Sequence, residues 1–168
     1  MTRDEAIKQL EQARKRGLVS LFKASSLRHG VPYTLLLAIA SRETAIGQTY
    51  NAQGRGDCST AGCPAHGIMQ IDERWHKPYT STHSPLDHAA NIDYAAKYLK
   101  SLYAGNWRDA ARKYNGSGAK AEAYADDVMS RKAIFEELEG GEMGNSGITL
   151  FVVGAALFAA WSYYEWQA

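Results

Sequence analysis

An apolar helix that carries one carboxylate on its buried side constrains this chain more than any other feature. A proline at its start and a glycine after its end predict a helix from Tyr33 to Ile46. Glu43 shares a face of this helix with apolar residues three, four and seven positions before it and three after it: Ala40, Ile39, Leu36 and Ile46. A charge there is costly, so the carboxyl is either paired with Arg42 or Arg74, or it has a raised pKa and can donate a proton near neutral pH.

The rest of the chain up to residue 139 reads as mainly α. Hydrophobic residues make up 45% of the sequence and charged residues 22%, which predicts a packed core rather than disorder. Residues 48–65 are rich in glycine and predict a loop, residues 66–71 a brief strand or turn, and residues 72–84 an irregular segment. Caps and breaks predict four further helices: Asp4–His29, Ser84–Tyr103, Asn106–Tyr114 and Ala119–Leu138.

The charge balance excludes little and requires no nucleic-acid partner. The formal net charge is only +1, although residues 1–30 hold seven Lys/Arg against three acidic residues. That basic stretch is either a solvated helix face or a surface that contacts anionic lipid or wall polymer.

A second polar cluster follows Glu43 by about two dozen residues. Gly67 allows the backbone to approach a ligand closely, and Gln70 offers both donor and acceptor groups to sugar hydroxyls. Asp72 adds a second carboxylate, while Trp75 and His76 could line the same groove. Cleavage of a glycosidic bond requires a proton donor for the leaving oxygen, and Glu43 is the candidate.

Four motifs in this order resemble the goose-type lysozyme and lytic transglycosylase family. They are Glu43 at the end of an apolar helix, Gly-Ile-Met-Gln-Ile at 67–71, Asn91-Ile92 with Tyr98-Leu99, and Tyr114-Asn115-Gly116. The resemblance covers residues 35–131. The stretch after the Met-Gln pair, with Asp72 and an Arg-aromatic-His-Lys run, is closer to the goose-type branch.

The resemblance implies a lysozyme-like fold and a peptidoglycan substrate, cut between N-acetylmuramic acid and N-acetylglucosamine. Glu43 would be the general acid, and Asp72, with Asp57 as a second candidate, would position water as in inverting hydrolases. In the transglycosylase alternative, Glu43 is the sole catalytic carboxylate and the 6-hydroxyl of muramic acid closes an anhydro ring. No cofactor or metal is expected. The residues expected to contact substrate are His66, Met69, Gln70, Tyr114 and Asn115.

Two other functions fit parts of the sequence. A non-catalytic wall-binding module would keep the groove, but it has no use for an acid on an apolar helix face such as Glu43. A membrane-assembly protein would need only the C-terminal segment, with the preceding domain as a scaffold. In relatives the residue that matches Asn91 faces the core, so the resemblance implies a structural role for Asn91.

The two cysteines leave three alternatives open. Cys58 and Cys63 could pair across a short loop, remain free thiols, or bind zinc with His66 and His76. Their spacing is a weak zinc signal, so no metal is predicted.

The C-terminus predicts a membrane anchor. Residues 140–147 read as a glycine-rich linker, and residues 148–164 carry no charge and end in a cluster of aromatic residues, as at a membrane interface. Small residues four apart, including Ala155 and Ala159, could pack against a second copy. The enzyme is expected either to be anchored in the host inner membrane with its catalytic domain on the cell-wall side, or to be part of a bacteriophage virion.

Overall fold

A computed structural model describes residues 1–55 and 64–140 of this chain. In these ranges the chain forms seven helices and one short antiparallel hairpin. The elements are α1 Arg3–Lys15, α2 Leu18–His29, α3 Tyr33–Thr44, β1 Ala65–His66, β2 Ile71–Asp72, α4 Lys77–Thr80, α5 His88–Ser101, α6 Trp107–Asn115 and α7, residues 119–140. The prediction of a mainly α domain is confirmed.

The first predicted helix is two helices. Asp4–His29 was expected to be continuous, but α1 ends at Lys15, and α2 begins after Gly17, which has a φ of +70°. Only glycine adopts this left-handed backbone without a steric penalty, so one residue redirects the chain. The break lets α2 pack against α1, α3 and α5.

Helix α3 forms the centre of the core. Its side chains from Leu35 to Ala40 are fully buried. The helix ends at Thr44, two residues earlier than predicted, because Ala45 and Ile46 have left-handed φ values of 48° and 56°. Ile46 is still buried, but it is not on the helix that carries Glu43.

The hairpin carries the Gly67–Ile71 motif on its turn, residues 67–70, and at the first residue of β2. Ala65 pairs with Asp72 and His66 with Ile71. The buried side chain of Asn91 on α5 braces the turn: its Oδ1 accepts a hydrogen bond from the Met69 amide at 2.8 Å, and its Nδ2 donates to the His66 carbonyl at 2.9 Å. The expectation that Asn91 is structural is confirmed.

Other predicted boundaries need small corrections. The segment 72–84 was expected to be irregular, but it contains the single-turn helix α4. Helix α5 begins after the N-cap Asp87 rather than at Ser84, because the Asp87 carboxylate accepts a hydrogen bond from the Ala90 amide.

The described residues include no helix long and apolar enough to cross a membrane. Met1–Phe135 forms one compact unit, and the chain from Glu136 onward belongs to a second. The linker was predicted to begin at Gly140, which is instead the last described residue of α7; the rest of that linker, residues 141–147, and the predicted membrane segment, residues 148–164, lie outside the described residues. Both therefore stay predictions.

We expect Gly67→Ala to lower the free energy of unfolding by roughly 2–4 kcal/mol. The backbone at Gly67 has a φ of +75°, and an added Cβ would lie 2.5 Å from Cγ of the buried Asn91. Urea denaturation measures the change through the transition midpoint.

Gly105→Ala is the matched control for this prediction. Gly105 also has a positive φ, +91°, but an added Cβ would meet no atom within 4 Å. Its cost is therefore the backbone strain alone, about 1–2 kcal/mol. Equal destabilisation by the two variants would contradict the proposed clash with Asn91.

Candidate active site

Glu43 lies at the C-terminal end of α3, where the buried helix reaches a surface groove. The groove has a volume of about 450 Å³. Its walls come from α3, the hairpin, the segment before α4, α5 and the end of α6. The lining residues include Glu43, Gln70, Asp72, Trp75, His76, Tyr98, Tyr114 and Asn115.

Burial makes the ionised form of the Glu43 carboxyl less favourable. Desolvation raises the pKa of Glu43, while a hydrogen bond from Tyr124 and the charge of Arg42 act in the opposite direction. The Tyr124 hydroxyl donates to Oε1 of Glu43 at 2.6 Å. Arg42 pairs with Asp127, and Arg74 pairs with Asp72. Of the two alternatives from the sequence, the raised pKa is the one that this geometry supports.

The sequence did not identify Tyr124 as a site residue. It lies on α7, 81 positions after Glu43, and is only 5% exposed. The only available signal was that the family resemblance extends through residues 124–128. Periodicity identifies such a tyrosine as buried, but it does not reveal which distant group its hydroxyl meets.

Thr44 ties the end of α3 to the motif turn. Its buried hydroxyl lies 2.8 Å from the Ile68 carbonyl oxygen, to which it donates, and it accepts a hydrogen bond from the Gly47 amide at 2.9 Å. The residue after Glu43 therefore fixes both the left-handed exit from the helix and the position of the opposite groove wall.

Tyr114 and Gln70 are brought into the groove, as expected from the sequence. The Tyr114 hydroxyl donates to the Met69 carbonyl at 2.8 Å, and burial raises the pKa of Tyr114 well above its ordinary value. Gln70 has a left-handed φ of 49°, and its Nε2 donates to the Gly67 carbonyl at 2.6 Å. Asn115 ends α6 and is exposed at the groove.

His66 and Met69 do not face the groove. Met69 is fully buried and His66 is 1% exposed, which corrects the expectation that these side chains contact substrate. The His66 ring packs edge-on against Tyr79 instead, with centroids 5.7 Å apart, and its Nδ1 lies 3.4 Å from Glu73. The hairpin turns both side chains into the core, a result that a linear motif does not reveal.

Asp72 lines the same groove as Glu43, but its pKa is shifted in the opposite direction. Its Oδ1 accepts from the Arg74 amide at 2.9 Å and from Arg74 Nε at 3.0 Å, and its Oδ2 accepts from Arg74 Nη2 at 2.6 Å. These hydrogen bonds lower the pKa of Asp72, so the carboxylate is ionised. Asp57, the second predicted water-positioning residue, lies outside the described residues.

Aromatic side chains line one wall of the groove. His76 donates or accepts a hydrogen bond with the Tyr94 hydroxyl at 3.0 Å and packs edge-on against Tyr98 at 4.5 Å. Burial lowers the pKa of His76, which favours the neutral imidazole at pH 7. Trp75, at the groove rim, is 79% exposed.

No group of three or more His, Cys, Asp and Glu side chains within residues 1–55 and 64–140 is arranged to hold a metal ion. Cys58 and Cys63, which the sequence left open as a pair, as thiols or as zinc ligands, lie outside those ranges. The groove holds two carboxyls, Glu43 with a raised pKa and Asp72 with a lowered pKa.

Comparison with known proteins identifies the family. The sequence profile described as "Transglycosylase SLT domain" matches residues 20–134, a segment that contains Glu43, the hairpin, Tyr114 and Tyr124. None of the curated proteins compared is significantly similar to the chain. Because the match covers well over half of the 168 residues, the chain belongs to the transglycosylase SLT domain family of lysozyme-like glycosidases that act on peptidoglycan.

Proposed function

We propose that this protein hydrolyses the bond between N-acetylmuramic acid and N-acetylglucosamine, with Glu43 as the general acid. One observation carries the proposal: Glu43 and Asp72 line one groove, and their pKa values are shifted in opposite directions. Carboxyl pairs whose surroundings separate their pKa values in this way divide the acid and base roles between them.

The proposed reaction uses these opposite pKa shifts. Glu43 gives its proton to the glycosidic oxygen as the bond to the anomeric carbon breaks. A water held by Asp72 attacks the opposite face of the sugar and loses its proton to that carboxylate. An inverting pair requires a carboxyl separation of about 6.5–9.5 Å, which leaves room for the water. Asp57 would be a second group that holds this water.

Three further residues have supporting roles in this proposal. Gln70 and Asn115, which both line the groove, offer amide groups to the sugar hydroxyls and acetamido groups. Tyr114 acts mainly through the motif turn, because its hydroxyl donates to the Met69 carbonyl.

A lytic transglycosylase is the second candidate, and a specific observation favours it. Arg74 occupies both oxygens of Asp72, so few lone pairs remain to accept a proton from water. Glu43 would then act alone: after protonating the leaving oxygen it would take the proton of the 6-hydroxyl of muramic acid, which closes the anhydro ring.

Mass spectrometry of fragments from purified peptidoglycan tests both candidates. We expect the parent protein to release reducing muramic ends, and Glu43→Gln to lose at least about 100-fold in rate because the proton donor is gone. Glu122→Gln, an exposed residue paired with Arg108, is the control and should cleave like the parent. Release of fragments by Glu43→Gln at the parental rate would exclude Glu43 as the acid.

Asp72→Asn distinguishes the two mechanisms. In a hydrolase this variant loses the group that holds water, so the rate falls by about 100-fold or more. In a transglycosylase the products carry anhydro ends, lighter by one water, and Asp72→Asn keeps a rate within a few-fold of the parent. Anhydro ends from the parent would therefore assign Asp72 a structural role.

We expect Tyr124→Phe to move the alkaline limb of the activity profile to higher pH. The Tyr124 hydroxyl stabilises the ionised form of Glu43, so its loss raises the pKa of the acid further. Activity requires the protonated acid and is lost as pH rises through that pKa, so the limb should move up by about 1–2 pH units.

The pH dependence of kcat/KM measures this shift in the free enzyme. Tyr103→Phe is the matched control, because Tyr103 stacks on Trp107 and does not line the groove. An unchanged or lowered limb in Tyr124→Phe would contradict the role given to this hydroxyl.

Membrane anchoring through residues 148–164, with the catalytic domain on the wall side, is a further part of the proposal and is supported by the sequence alone. The full-length protein should float with phospholipid vesicles. A lysine near the centre of a span costs about 2.5–3.5 kcal/mol, so Val153→Lys combined with Ala156→Lys should prevent flotation. Ser146→Lys, outside the span, is the control. Flotation of the double variant would refute the anchor.

A further inference from the structure

Arg42 is the residue in the chain directly before the catalytic acid, yet it points to another partner. Its Nε lies 2.9 Å from Oδ2 of Asp127 on α7. Its guanidinium also lies over the ring of Tyr124, 5.8 Å from the centroid, and Tyr124 is the residue that holds Glu43. The Arg42 guanidinium, next to Glu43 in the chain, is therefore held in place by Asp127 and by the Tyr124 ring.

Asp127 is itself fixed from a second side. Arg131 donates from Nε to Oδ2 of Asp127 at 3.0 Å and from Nη1 to Oγ of Ser41 at 2.9 Å. Tyr124, Asp127 and Arg131 have the i, i+3, i+7 spacing of one helix face. That face meets the last turn of α3, where Ser41, Arg42 and Glu43 are consecutive.

We propose that Asp127 is a positioning residue that holds the Arg42 guanidinium against the Tyr124 ring and so prevents this cation from pairing with the Glu43 carboxyl. The inference rests on the proposed function, since it concerns the proton that Glu43 must donate. Asp127 is not among the residues that line the groove, and it acts on Glu43 mainly through Arg42.

The physical argument depends on the length and charge of the arginine side chain. Arg42 is nearly half exposed and has a flexible stem, so without Asp127 its guanidinium could reach the neighbouring carboxyl. An opposite charge near a carboxyl favours the ionised form, and loss of the Asp127 charge acts in the same direction. Both effects would lower the pKa of Glu43 and so reduce the fraction of enzyme whose Glu43 carries the proton that the proposed reaction needs.

The other titratable and charged groups near Glu43 are not expected to move when Asp127 is replaced. Tyr124 approaches from α7 and Tyr114 from α6. The charged groups of the groove are Asp72 on β2, Arg74 in the segment before α4, and Lys113 on α6. None of them contacts Asp127 through a described hydrogen bond or ion pair. A change at Asp127 therefore reaches Glu43 mainly through Arg42.

A carbon-13 NMR titration of the Glu43 carboxyl in the full-length protein tests the proposal, with Glu43→Gln used to assign the signal. We expect Asp127→Asn to lower the pKa of Glu43 by about one unit. Asp126→Asn is the matched control, because the adjacent Asp126 pairs with Arg108 and should leave the titration of Glu43 unchanged. If Asp127→Asn does not fold, Asp127→Ser replaces it.

A double substitution isolates the role of Arg42. In an Arg42→Met background, Asp127→Asn should shift the pKa of Glu43 by less than half as much, because the cation that moves is absent. An equal shift in both backgrounds, or no shift in either, overturns the proposal.

The titration is measured on the folded protein whether or not it cleaves glycan. Failure of Glu43→Gln to abolish cleavage would refute the proposed function and leave this result intact. In an active enzyme, Asp127→Asn should move the alkaline limb of the activity profile to lower pH, by as much as it lowers the pKa of Glu43. Asp126→Asn should leave the limb at the parental pH.

Discussion

The desolvation of one carboxyl at the end of α3 is the constraint on which the rest of this structure depends. The helix is buried along its length, so Glu43 emerges from the core rather than from a solvated surface. An isolated charge in such a place is unfavourable, and the protein responds with a hydrogen bond from Tyr124 and with arginines bound to other carboxylates. Desolvation outweighs the hydrogen bond from Tyr124 and leaves the pKa of Glu43 raised, while Asp72, which lines the same groove, has a lowered pKa.

The opposite wall of the groove takes its shape from side chains of three helices. The motif turn has few backbone hydrogen bonds of its own, and Thr44, Asn91 and Tyr114 satisfy its carbonyl and amide groups. Each bond joins the turn to a different helix, so movement of the turn would leave buried polar groups unpaired. A small loop is in this way given the rigidity of the helical core.

Much of this organisation could be predicted from the sequence, and the failures have physical causes. Spacing and caps identify α3 and place Glu43 on its apolar side, because burial has a local periodicity. The break at Gly17 and the left-handed exit at Ala45 depend on single backbone dihedrals, which periodicity does not encode. The inward direction of His66 and Met69 depends on the hairpin turn. The contact between Tyr124 and Glu43 depends on tertiary packing, for which one sequence contains no direct signal.

The separation of the acid from its hydroxyl partner has a consequence for biosynthesis. Glu43 is synthesised early, whereas Tyr124 follows it by 81 positions and belongs to the last helix of the compact unit. A nascent chain that stops before α7 lacks the hydroxyl that donates to Glu43. The candidate site thus becomes complete only after residue 124 has been synthesised, and it includes a contact of high sequence separation, whose closure carries a cost in loop entropy.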